Sequence, residues 1–193
     1  MIVHGIHTNT SKAAWMDYVA NKFFENGWCA HKFNYGYAVG LLTRYQNHER
    51  AMKLASIILP GDVVLGHSNG GTLIDLAANM GAPIEGAILL NPALDEDRVM
   101  PEQVKWVNLY PNRHDVAVKI SALFLAHQWG AQGHNGISRE DARYTTTFTD
   151  DLHYLSNGSE LPMLKGHSDI IHPYNLPAWT ERIIEDANKR YVN

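Results

Sequence analysis

Residues 63–78 read VVLGHSNGGTLIDLAA. An apolar, β-branched run enters a glycine-rich turn, and the chain leaves the turn with apolar residues at helical spacing. Strand, tight turn and helix in that order form the unit from which α/β folds are built. The same alternation recurs on both sides. Strands are expected at 1–6, 29–35, 62–66, 84–90, 104–110 and 144–149, and helices at 12–25, 44–59, 69–80, 116–129 and 176–191. Trp15, Tyr18, Val19 and Phe23 share one face of the first helix, which Asn26-Gly27 ends, and Pro60-Gly61 ends the second. With no repeat, low-complexity tract or linker, residues 1–193 are expected to form one domain.

Strands alternating with helices predict a doubly wound, mostly parallel six-stranded sheet with helices on both faces. Right-handed crossovers favour the order 2-1-3-4-5-6, which reverses between strands 1 and 3. Ligands in such sheets bind beyond the carboxyl ends of the strands, beside that reversal. His4-Gly5-Ile6-His7 and Gly66-His67-Ser68 would be neighbours there.

Composition narrows the class. At 193 residues the chain can bury a substantial core, and 45% hydrophobic with 19% charged residues is ordinary for a globular protein. The formal charge of −4 gives no electrostatic reason to expect a nucleic acid or an anionic membrane as partner. No apolar stretch is long enough to span a membrane, and MIVHGIH has no secretory-signal pattern. A single cysteine, Cys29, excludes an intramolecular disulfide. These features lead to a cytoplasmic expectation.

Gly66-His67-Ser68-Asn69-Gly70 fits G-x-S-x-G between a strand and a helix, the context of a nucleophile elbow. The same glycines would suit any close strand–helix turn or a phosphate-binding turn, so the neighbouring chemistry matters. A serine hydroxyl needs a base and a group that orients the base. In chain order the acid follows a later strand and the histidine sits in a late loop. Asp115, just beyond strand 5, and His167, in LKGHSDII, take those positions, with Asp150 and Asp151 as rival acids. Gly166-His167-Ser168 repeats the earlier tripeptide, but Ser168 has neither a leading strand nor a glycine two residues on. An oxyanion needs backbone donors, for which the N–H groups of Asn69 and Ile6 are the candidates, with His7 close behind.

The chain resembles the α/β-hydrolases. The residues that carry the resemblance are His4-Gly5-Ile6 with Trp15, Gly66 to Gly71, Asn91-Pro92-Ala93, Asp115 and Gly166-His167-Ser168-Asp169. It implies a cofactor-free serine hydrolase acting on a small-molecule carboxylic ester or related acyl bond. Ser68 would be the nucleophile, His167 the base and Asp115 the acid, with Ile6 and Asn69 as the oxyanion hole. Two departures stand out. The chain begins at the His-Gly strand, where relatives place two strands earlier, and only 91–103 connect strands 4 and 5, where many insert a lid. A minimal, lidless member with an open site is expected.

Loop positions after strands supply candidate pocket walls in Tyr35, Tyr37, Leu41, Leu42, Leu94 and Met100, each of which ordinary packing would equally explain. The glycine-rich 129–140 segment is expected on the opposite side of the sheet from the site. Eleven histidines prompt a metal search, but no H-E-x-x-H or Cys/His ligand set is present, so no metal or cofactor is expected. An acyltransferase or thioesterase would use the same three residues, and a silent binding module the same fold. A dinucleotide binder fits less well, because HGIHTNTSK lacks G-x-G-x-x-G.

Overall fold

The structure, a computed structural model, describes residues 1–3, 14–35, 42–117 and 130–191. Six parallel strands form one sheet in the order β2-β1-β3-β4-β5-β6. They are β1 (Ile2–Val3), β2 (Lys32–Phe33), β3 (Asp62–His67), β4 (Ile84–Leu90), β5 (Trp106–Tyr110) and β6 (Tyr144–Thr146). The helices are α1 (Ala14–Glu25), α2 (Leu42–Ala55), α3 (Asn69–Asn79), the short α4 (Gln132–Asn135) and α5 (Leu176–Tyr191). The expected strand order is therefore the observed one. Of the helix expected at 116–129, all but its first two residues lie outside the described residues.

Side chains alternate across each strand, and the two faces bury different layers. Leu65, Ile88, Leu90, Trp106 and Tyr110 pack on one side with Trp15, Met16 and Val19 of α1 and Trp179 and Ile183 of α5. Val64, Ala87, Leu89, Val107 and Leu109 pack on the other with Ala51 and Leu54 of α2 and Leu73, Ile74 and Ala77 of α3. Near-continuous apolar runs in β3 to β5 follow from burial on both faces. On the α1/α5 side the Tyr110 hydroxyl donates to Asp186 Oδ2 at 3.0 Å, which ties α5 to β5. Burial raises the Tyr110 pKa well above its ordinary value, so it stays a donor.

Boundaries shift where local chemistry intervenes. Helix α2 ends at Ala55, not near residue 59, because the Ser56 hydroxyl takes the Lys53 carbonyl at 2.8 Å and Pro60 disfavours helix before it. Strand β6 ends at Thr146, although Thr147 and Thr149 still donate to Leu109 and Pro111 at 2.8 and 2.9 Å. No helix among the described residues is long and apolar enough to cross a membrane.

Candidate active site

Strand β3 delivers Ser68 directly to the first turn of α3. Ser68 has φ 55° and ψ −122°, a conformation that L residues rarely adopt and that costs on the order of 1–3 kcal/mol. The turn is held from below, since Ser68 N–H donates to Leu90 O at 3.0 Å while Ser68 O accepts from Gly71 and Ala93 at 2.9 and 3.2 Å. Gly66 makes the close approach feasible. A Cβ there would stand 2.6 Å from Ile74 Cδ1 and 2.8 Å from the Gly70 carbonyl carbon. Strain of this kind at a single serine, with the helix N-terminus beginning at the next residue, presents a hydroxyl to a positive dipole end.

Beyond β5, Asp115 is fully buried, and its Oδ2 lies 2.5 Å from His167 Nδ1. A carboxylate only accepts, so Nδ1 carries the proton of this bond, and Nε2 is the ring nitrogen that Asp115 leaves free to exchange a proton. Ser68 and His167 are not hydrogen-bonded to each other in this structure. Bonds of this kind are often long before substrate binds.

Two residues that sequence reasoning gave no role hold this pair. Asn91, just past β4, has φ 43°, a left-handed conformation that asparagine tolerates better than most residues. Its Nδ2 donates to Asp115 Oδ2 at 3.1 Å and to the His167 carbonyl at 3.2 Å. The same carbonyl takes a second hydrogen bond, 3.1 Å long, from His67 Nε2. Asn91 was legible only as part of Asn91-Pro92-Ala93, and His67 only as the variable position of the glycine–serine motif.

His67 is a buried ring packed edge-on to Trp15, at 6.1 Å between centroids, and tilted against His167 at 4.9 Å. Burial, reinforced by the His167 ring, lowers its pKa from 6.5 to about 3, so it stays neutral and donates from Nε2. The unfolded chain takes up this proton near pH 6.5, while the folded one resists it down to about 3. Between those values the unfolded state binds more protons, and stability is lost as pH falls, at up to about 1.4 kcal/mol per pH unit from this residue. Urea unfolding at about pH 7 and about pH 5 should show a shallower loss for His67→Gln than for the unsubstituted chain. Equal slopes would contradict the assignment.

The rival acids are engaged elsewhere. Asp150 and Asp151 both bind the Arg113 guanidinium, at 3.1 and 2.7 Å, and Arg113 lies 3.9 Å over the Phe148 ring. Asn112, fully buried at the head of the Asp115 loop, donates to Thr149 Oγ1 at 2.9 Å, and its Oδ1 accepts from His114 N–H at 2.8 Å.

The other expected positions divide. Ile6, His7, Tyr37 and Leu41 lie outside the described residues, as does the side chain of Leu42. Asn69 opens α3, with its amide side chain turned toward α2 onto Asn47 at 2.9 Å and within 3.4 Å of the Tyr35 hydroxyl. Burial pushes the Tyr35 pKa up to about 12. Leu94 and Met100 are buried in the core cluster of the α2/α3 side, because the segment after β4 folds back onto the body, so packing accounts for both.

The glycine-rich segment corrects an expectation. Gly133 donates to Pro92 O at 3.0 Å and accepts from Asn112 N–H at 2.8 Å, and a Cβ on it would meet the Asn91 carbonyl carbon at 2.6 Å. The segment therefore supports the loops that carry Asn91 and Asp115, at the carboxyl ends of the strands. Among the described residues no group of three or more His, Cys, Asp or Glu side chains is arranged to hold a metal ion.

Compared with known proteins, the chain matches no family model, and no curated protein is significantly similar to it.

Proposed function

We propose that the chain is a serine hydrolase that cleaves a carboxylic ester or related acyl bond. The observation that carries this reading is a strained Ser68 at a helix N-terminus whose neighbour His67 bonds the His167 carbonyl, His167 being held in turn by Asp115 at 2.5 Å. Ser68 Oγ attacks the acyl carbon as its proton passes to His167 Nε2. Asp115 holds the imidazole tautomer and stabilises the imidazolium that forms. The N–H of Asn69, the first residue of α3, is the donor placed next to the nucleophile for the developing oxyanion, and one such donor contributes about 3 kcal/mol to the transition state. The N–H of Ile6 is the second donor implied by the family resemblance. His167 returns its proton to the leaving atom, and water, deprotonated by the same ring, frees the acid from Ser68.

Intact-mass labelling with a fluorophosphonate tests the reading. One adduct per chain is expected on the unsubstituted protein, and none on Ser68→Ala or His167→Ala. A folded chain that takes no adduct overturns it.

A further inference from the structure

We infer that an apolar leaving group docks in a groove that begins beside His167, an inference that rests on the serine-hydrolase reading above. The groove has a volume of 420 Å³ and lies between the start of α1 and the turn that leads into α5. Trp15 and Tyr18 form one wall, and Ile171, Pro173, Leu176 and Pro177 form the other. Ser168 and His172 also line it, and among its described lining there is no Lys, Arg, Asp or Glu to pair with an ionised arm. Aromatic and aliphatic walls instead reward an arm that needs no hydrogen bonds.

The chemistry of the base decides which arm of the substrate lies there. His167 Nε2 must hand its proton to the departing oxygen or nitrogen, so the leaving group lies on the His167 side of the tetrahedral carbon. In the chain, the groove starts one residue past the base. Ser168, the next residue, lines it, and the Asp169–Ile171 turn brings Ile171 into its wall. Trp15 leads back to the base through ring contacts with His67 and from His67 to His167. The reaction balances as an ordinary ester cleavage. The ester R–CO–O–R′ and Ser68 give acyl-Ser68 and R′OH, the proton moving from Ser68 through His167 to R′O. Water then gives R–COOH and regenerates Ser68.

Two ester series test the assignment on the full chain. One keeps the acyl group and lengthens the alcohol from methyl to butyl, and the other keeps the alcohol and lengthens the acid. Each methylene buried in the groove should raise kcat/KM about fourfold. The alcohol series should therefore climb. Ile171→Glu and Tyr18→Glu, both at half-buried wall positions, should flatten the climb. Circular dichroism reports whether each variant folds, and the unsubstituted protein decides alone if neither does. A flat alcohol series, a climb confined to the acyl series, or an alcohol preference that survives in both folded variants overturns the groove assignment. So does a chain that labels with fluorophosphonate yet hydrolyses no member of the alcohol series. Absence of labelling in a folded chain instead removes the hydrolase reading itself.

Discussion

Ser68→Ala is expected to lower kcat for ester hydrolysis by about 10⁵-fold or more while leaving the fold and its melting temperature nearly unchanged. The Ser68 backbone, not its hydroxyl, holds the turn, through bonds to Leu90, Gly71 and Ala93. Alanine keeps all three and meets the same strain at φ 55°. His167→Ala should match the kinetic loss but differ in stability. It leaves Asp115 buried with its 2.5 Å partner gone, a defect that costs about 1–3 kcal/mol. The double variant should be no slower than either single one, because the two groups act as a unit. Steady-state kinetics beside thermal unfolding separates these outcomes. Equal destabilisation by both substitutions would mean that Ser68 has a packing role which the hydrogen bonds do not reveal.

Asp115→Asn should reduce kcat by about 10⁴-fold, since a neutral amide neither fixes the Nδ1–H tautomer nor stabilises the imidazolium. Asp150→Asn should change it by no more than about threefold. Asparagine in place of Asp150 keeps an oxygen for the Arg113 N–H, and Asp151 keeps its hold on the half-exposed guanidinium. Kinetics of the two asparagine variants under identical conditions is the measurement. Comparable losses would move the acid role away from Asp115.

Much of this arrangement was legible in one dimension. The 63–78 stretch encodes its own strand, turn and helix, so β3, Ser68 and α3 stand where the periodicity puts them. Alternation of strands and helices was enough for a parallel sheet, and right-handed crossovers limited its topologies to a few, among which the expected order 2-1-3-4-5-6 is the observed one. Asp115 and His167 were readable from chain order, and the two side chains are in contact. What escaped depends on the third dimension. Asn91 reaches a carbonyl 76 residues away, and His67 reaches the same atom from 100 residues away. Neither bond leaves a local pattern. The 130–136 stretch was misplaced because a connection between a helix and a strand was assumed to stay at one end of the sheet. Here it returns to the carboxyl ends and seats Gly133 against Asn91. Leu94 and Met100 carried no mark to tell a pocket wall from a core residue, and burial alone separates the two.

The double acceptor at the His167 carbonyl has a further consequence. Its two donors stand on the end of β3 and the residue after β4, so the rigid centre of the sheet serves as the datum for the imidazole. The loop that carries the ring is thereby relieved of locating it. An insertion at the exposed 156–159 turn would lengthen the tether without moving the anchorage. The length of that loop and the placement of the imidazole are thus under separate structural control, and the first can vary while the second stays fixed.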